Sequence, residues 1–299
     1  MQYIYHKKLS RKTKVFNSIK KLFIGRCKEQ VLIYFSTKLS IIKKFFPQEY
    51  LYQKNSWRSC SRYDVKLKLD ISNVVDHYTY FQFDDIAMDN FVNLVKSDSI
   101  VIDVGGNIGI TAARFAKKAF NGKIIVVEPS KFSFQRLVYH MKLNKLTNVV
   151  PINKGLGTQE KIEKLYTVDE NNSGMNRIVS FELNNVPNES ISICKLDDLV
   201  QKIELKRIDF IKIDVEGYEM NVLKGAINTI INYKPIILIE VIDENLKENQ
   251  SSALEVIQFL VEKNYKILIA NTLEEIDLEN LFSGFTSDLL CINKGLLWS

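Results

Sequence analysis

An apolar run that ends in an acid and breaks into glycines, "IVIDVGGNIGIT" (residues 100–111), constrains this fold more than any other stretch. A strand that turns sharply at glycines and restarts as a helix opens a parallel α/β unit. The grammar then repeats. "GKIIVVEP" is followed by the helical "KFSFQRLVYHMKLNK", and "NVVPIN" by "CKLDDLVQKI". "IDFIKIDV" is followed by "YEMNVLKGAINTIIN", read as one helix closed before Pro235, and then by "PIILIEVI". Two late strands, "YKILIA" and "DLLCIN", complete the set. Continuous apolar strands alternating with helices predict an α/β fold with helices on both faces of a mostly parallel sheet. In "SALE", Ser252 and Glu255 have capping-box spacing, so a helix starts there. "DENNSGMN" (169–176) is polar and holds a glycine, and reads as a flexible loop of functional interest.

The N-terminal segment is different in kind. The chain carries +6 overall, but residues 1–50 hold 12 Lys+Arg against 2 Asp+Glu, leaving +6 − 10 = −4 for the rest. Residues 1–60 are therefore set apart as a basic, mostly helical arm, and 61–299 as the main domain. Within the latter, residues 61–97 form a strand-and-helix preface. "VKLKLDI" alternates as a half-buried strand does, and Ile86, Phe91, Leu94 and Val95 share a helical face. The arm's longest apolar run, Val31 to Phe35, is far short of the roughly 20 residues a bilayer span needs. No secretory cleavage pattern follows it. Two roles fit the arm: packing on the catalytic domain or on a second subunit, or peripheral contact with an anionic membrane. No basic–aromatic spacing specifies a nucleic-acid module. Cys27, Cys60, Cys194 and Cys291 form no CxxC pair, and His6, His77 and His140 are scattered. The reading is reduced thiols in a cytoplasmic protein, with no zinc or histidine-rich metal site indicated.

The glycine turn limits the ligand. A phosphate-binding Walker loop would end in Gly-Lys-Ser/Thr, which is absent, and the G-x-G-x-x-G dinucleotide spacing is not met. The text is D-x-G-x-N-x-G: Asp103, Gly105, Asn107 and Gly109, with Gly106 and Thr111 completing the cradle. Gly105 and Gly109 permit a tight turn. The helix after Gly109 aims free N–H groups at the strand edge where ligands of open parallel sheets sit. An acid at Asp103 suits a ligand with a cationic end, as S-adenosylmethionine has in its ammonium and sulfonium. Glu128, at the end of the next strand, can accept both ribose hydroxyls, a feature shared with nicotinamide enzymes.

A second acidic group follows "FIKID": Asp214, Glu216 and Glu219. The topology puts this loop beside the cradle. Asp214 or Glu216 is a candidate general base for a hydroxyl acceptor. The same acids could instead cap the next helix or fix Lys212, or coordinate a divalent cation.

"VIDVGGNIG", "VVEPSKFSFQRLVYHMKLNKLTNV" and "IDFIKIDVEGYEMNVLKGA" together resemble the FkbM-type S-adenosylmethionine-dependent methyltransferases. The resemblance covers about residues 98 to 242, and "DVEGYE…VLKG" is its most specific block. It implies a class I methyltransferase (Rossmann-like) fold, doubly wound, with a seven-stranded sheet whose last strand is antiparallel. It also implies that Asp103, Gly105, Asn107, Gly109 and Glu128 hold the cofactor, with Ser130 and Asn153 near ribose and adenine. Gly106 departs from the family, which more often has alanine there. The family mostly methylates hydroxyls, so the resemblance implies O-methylation of a sugar, glycan or secondary metabolite. A nicotinamide oxidoreductase and a non-catalytic protein on the same fold are the alternatives weighed against it.

Overall fold

A computed structural model of the chain describes residues 11–83, 85–169, 171–184, 186–277 and 284–296. The chain divides into two compact units: residues 1–62 with 67–84, and residues 63–66 with 85–299. The strand-and-helix preface expected at 61–97 is shared between the two units.

The first unit holds α1 (Arg11–Lys21), α2 (Arg26–Ser36), the hairpin strands β1 (Trp57–Arg62) and β2 (Val65–Asp70), and α3 (Val74–Tyr80). Strand β2 alternates buried Val65, Leu67 and Leu69 with exposed lysines, as its sequence pattern requires. Glu29 is fully buried inside this unit and is held by the Arg58 guanidinium through two hydrogen bonds, of 2.7 and 2.8 Å.

The second unit begins with α4 (Ile86–Leu94) and then runs β3 (Ile100–Val104), α5 (Ile110–Lys118), β4 (Lys123–Val127), α6 (Lys131–Leu143) and β5 (Val149–Ile152). Short strands β6 (Gly155–Leu156), β7 (Lys161–Thr167), β8 (Asn176–Arg177) and β9 (Asn188–Cys194) follow. The chain then returns through α7 (Leu196–Lys202), β10 (Phe210–Ile213), α8 (Glu219–Lys224), α9 (Ile227–Tyr233) and β11 (Ile236–Ile242). It closes with α10 (Asp243–Lys247), α11 (Ala253–Glu262), β12 (Tyr265–Ile269) and β13 (Thr286–Asn293).

Among the described residues the main sheet has seven strands in the order β12-β13-β11-β10-β3-β4-β5. Strands β3, β4, β5, β10 and β11 pair in parallel, and β13 runs antiparallel to both β11 and β12. This is the class I methyltransferase topology. The order reverses between β3 and β10, which places the ligand-binding crevice at their C-terminal ends. The central strands are closed by burial on both faces. Ile102, Val104, Ile211, Ile213, Ile237 and Ile239 are at most 1 % exposed, each contributing about 1.5–3 kcal/mol of transfer free energy.

Ser252 and Glu255 form the expected capping box at the start of α11. The helix expected over 218–232 is instead two, α8 and α9, broken at Gly225-Ala226. A side chain at Gly225 would lie 2.0 Å from the Gly157 carbonyl oxygen, so only glycine lets that other segment's backbone pass so close. Residues 155–194 form a second sheet, ordered β6-β9-β7-β8, where the sequence showed only connector.

Candidate functional site

The glycine turn is built by its protein neighbours. Gly105 and Gly109 have φ of +79° and +84°, a region that L side chains rarely adopt. A Cβ on Gly105 would sit 1.8 Å from the Asp214 carbonyl oxygen, and one on Gly109 would meet Leu137 and Met141 of α6 at 2.9 Å. The first need for glycine here is therefore close packing of β3 against β10 and of α5 against α6, and any approach to a ligand comes second. The amides of Gly105 and Gly106 both donate to the Val127 carbonyl, at 3.0 and 3.1 Å. The His140 ring bonds the Ile108 carbonyl at 2.8 Å and fixes the turn from the far side. Sequence reading had passed over His140 because nothing local ties it to the turn.

Glu128 stands at the end of β4, 7 % exposed. One carboxylate oxygen accepts the Asn107 amide and the other the Ser130 amide, both at 2.8 Å. Each oxygen keeps a further lone pair for a hydroxyl donor. Burial pushes this carboxyl up to about 7 against the pull of those two amides. Asn153 donates its side-chain amide to the Glu128 and Pro129 carbonyls, at 2.8 and 2.9 Å, and so holds the segment carrying the acid. Ser130 caps α6 through the Ser133 amide, at 3.5 Å. Thr111 lies half-buried in the first turn of α5.

Asp103 is fully buried within β3 rather than displayed at the edge. Burial pushes it up to about 6, opposed by the Lys212 ammonium, whose nitrogen is 3.8 Å away. The register Lys212↔Asp103 sets this pairing. Neither Asp103 oxygen has a hydrogen-bond partner, and Asn107 Oδ1 has none. Buried acceptors without donors are uncommon and are suited to a ligand rich in N–H and O–H groups.

Lys212 is the hinge between the two acidic groups. It donates to Asp214 Oδ2 at 2.8 Å, and the buried cation is held above its ordinary range by Asp214 and Asp103 despite desolvation. Glu219 is 1 % exposed and accepts the amides of Val215 and Gly217, both at 3.1 Å, so it shapes the loop from within. Glu216 sits in that loop at φ +54°. It accepts a hydrogen bond from Asn245 Nδ2 at 3.1 Å, while Arg177 donates to Asn245 Oδ1, also at 3.1 Å. Arg177 follows the "DENNSGMN" loop directly, which ties that loop to the acids. Glu170 of the loop lies outside the described residues.

Sequence reading missed Glu240, the one charge in the apolar strand "IILIEVI". Asp214, Glu216 and Glu240 each offer a carboxylate oxygen within 4.8 Å of the others, and Asp288 is the register partner of Glu240 on β13. Desolvation first, then the Asp214 charge, pushes Glu216 up to about 8 and Glu240 up to about 10. Three carboxylates this close oppose one another's ionisation, so the group holds a proton or attracts a cation.

The methyltransferase FkbM domain profile matches residues 103–267, more than half the chain. This chain belongs to the FkbM methyltransferase family. S-adenosylmethionine is the methyl donor of that family, and the unpartnered acceptors Asp103 and Asn107 together with Glu128 fit its ammonium and ribose hydroxyls. The chain is 27 % identical over 145 residues to "Methyltransferase 1" of Beauveria bassiana, covering 43 % of this chain and 58 % of that protein. It is 30 % identical over 135 residues to the "Hexuronic acid methyltransferase AglP" of Haloferax volcanii, covering 45 % of this chain and 53 % of that one. The chain thus spans little more than half the length of these relatives. A solved FkbM methyltransferase from Methylobacillus flagellatus aligns with 94 % of this chain and 59 % of its own, at 14 % identity and a TM-score of 0.44.

Proposed function

We propose that this FkbM methyltransferase transfers a methyl group from S-adenosylmethionine to a hydroxyl of a sugar, glycan or secondary metabolite. The observation that carries the reading is the carboxylate group formed by Asp214 at the end of β10, Glu216 in the loop after it and Glu240 within β11. When bound, the donor supplies an electrophilic methyl carbon. A hydroxyl acceptor must shed a proton as its oxygen attacks, and a carboxylate within reach takes it.

In this reading Asp103, Gly105, Gly106, Asn107, Gly109, Thr111 and Glu128 form the donor cradle, with Ser130 and Asn153 behind it. Glu216 or Asp214 receives the acceptor's proton. Burial and the Asp214 charge raise the Glu216 carboxyl to about 8, near the working pH of most enzymes. The hexuronic acid acceptor in the name of the Haloferax relative is one sugar class worth placing first in a screen. All four cysteines are unpaired, which suits a reducing compartment such as the cytoplasm.

The test is a screen of radiolabelled S-adenosylmethionine against glycans, uronic acids and sugar nucleotides. Calorimetry with the donor and with NAD runs in parallel. Label in an alkali-stable methyl ether supports O-transfer. Asp214→Asn and Glu216→Gln should keep donor affinity within about twofold and lower turnover 10²–10⁴-fold. Binding of NAD in place of the donor would overturn the assignment, and so would full turnover in both variants.

A further inference from the structure

In the first unit, α1, α2 and the turn after them leave a set of apolar side chains on the outside. On α1, Asn17 and Lys20 are buried at 7 % exposure, while Val15 and Ile19, and Leu22 in the turn just after the helix, are 60, 40 and 66 % exposed. Val15 and Ile19 lie at i and i+4 on one face of the helix, and Leu22 follows at its end. On α2, Leu32 and Ile33 face inward, yet Val31, Tyr34 and Phe35 are exposed as well. Leu39 and Ile41 continue the exposure, each at 58 %. Phe16 and Phe23 stack against Phe45, with ring centroids 5.9 and 6.2 Å apart, so α1 and the turn at Ser40–Phe45 belong to one surface. A helix that lives only in water has the opposite arrangement.

The charge on this surface is of one sign. Lys12, Lys14, Lys21, Arg26, Lys28, Lys38 and Lys44 are exposed. The one acid between residues 11 and 46 is Glu29, which is buried against Arg58. A stripe of aliphatic and aromatic side chains bordered by lysines matches a bilayer interface, where apolar groups enter the acyl boundary and cations meet lipid phosphates. A polyanion such as RNA would use the lysines and leave the aliphatic stripe in water. A second copy meeting this surface with its own would bring two like charges together. No described helix is long and apolar enough to cross a membrane, and the eleven residues of α1 suit lying in the interface plane.

We propose that α1, α2 and the turn after them form a docking surface for membranes rich in anionic lipid. The surface brings the enzyme to acceptors made or held at such a membrane.

The test uses the full chain in sedimentation with vesicles of phosphatidylcholine alone and of phosphatidylcholine with phosphatidylserine. The chain should partition onto the second kind and come off as salt rises. Each lysine near an anionic surface is worth about a fivefold change in partitioning, so K14Q/K21Q/K28Q together should lower it on the order of 100-fold. V15S/I19S/L22S should lower it too, while leaving the salt dependence in place. Circular dichroism of both triple variants checks that these exposed substitutions keep the fold. Equal partitioning onto both vesicle types would overturn the proposal. So would lysine-dependent capture of RNA with no vesicle binding, or a serine variant whose only change is a shift from dimer to monomer in light scattering. None of these readouts depends on the methyl acceptor, so the proposal stands or falls apart from the catalytic reading.

Discussion

Replacing Gly105 by alanine tests whether the cradle is set by strand packing. The added Cβ would lie 1.8 Å from the Asp214 carbonyl oxygen, where real Cβ contacts stay beyond 3.0 Å, so the two segments must part by at least 3.0 − 1.8 = 1.2 Å. The obstacle is backbone, so no side chain can rotate away. Holding alanine at φ +79° adds about 1–2 kcal/mol of left-handed strain, and overpacking adds about 1–3 kcal/mol. The sum, about 2–5 kcal/mol, corresponds to a fall of about 5–15 °C in Tm for a domain of this size. The same movement pulls Asp214 away from the cradle, and a displacement of about 1 Å can lower turnover 10²-fold. Gly106→Ala is the internal contrast. Its Cβ would meet a methyl of Val126 at 2.1 Å, so the obstacle is side chain rather than backbone, and Gly106 does not need a positive φ. Scanning calorimetry and donor titration on both variants should rank Gly105→Ala as much the worse. If Gly105→Ala melts within about 1 °C of the parent and binds the donor equally, the packing argument is wrong.

Two further outcomes follow from the buried carboxylates. Glu128 is raised from 4.5 to about 7 in the fold, so its favourable contribution is complete below 4.5 and is lost as pH rises through 7. Melts of the ligand-free protein should therefore weaken from pH 5 to pH 8, and the slope should be shallower in Glu128→Gln; an unchanged slope refutes the assignment. Donor affinity should move the other way, tightening over that interval as the ionised carboxylate becomes free to accept hydroxyl protons. At the trio of Asp214, Glu216 and Glu240, dialysis against EDTA followed by magnesium separates the two chemistries the spacing allows. Proton acceptance leaves turnover unchanged on chelation, whereas a cation-bound mechanism loses activity and regains it with metal. In either case Glu240→Gln should shift the pH optimum, and an unaltered profile would remove Glu240 from the site.

The strands of the main sheet were legible as apolar runs, most plainly β3, β4 and β10, which are buried on both faces. The capping box at Ser252 and the acids at Asp103, Glu128 and Asp214 were legible for a similar reason, since their meaning lies in position relative to a strand end. The second sheet was not. Strands such as "KIEKLYT" and "NESISIC" are short and polar on one side, and they pair with each other rather than joining the main sheet. The close approach of the Gly157 carbonyl to Gly225, where α8 ends, was invisible because the two lie far apart in the sequence.

The sequence by itself determined the strands of the main sheet, the glycine turn, the family, and the basic, apolar character of the first residues. Only the tertiary structure decided which charges meet. Asp103 and Lys212 are neighbours because β3 and β10 pair in parallel with that register, and Glu240 joins Asp214 because β11 lies on the other side of β10. Those pairings fix the burial of each carboxyl, and burial moves a carboxylate from a surface charge to a proton carrier near neutrality.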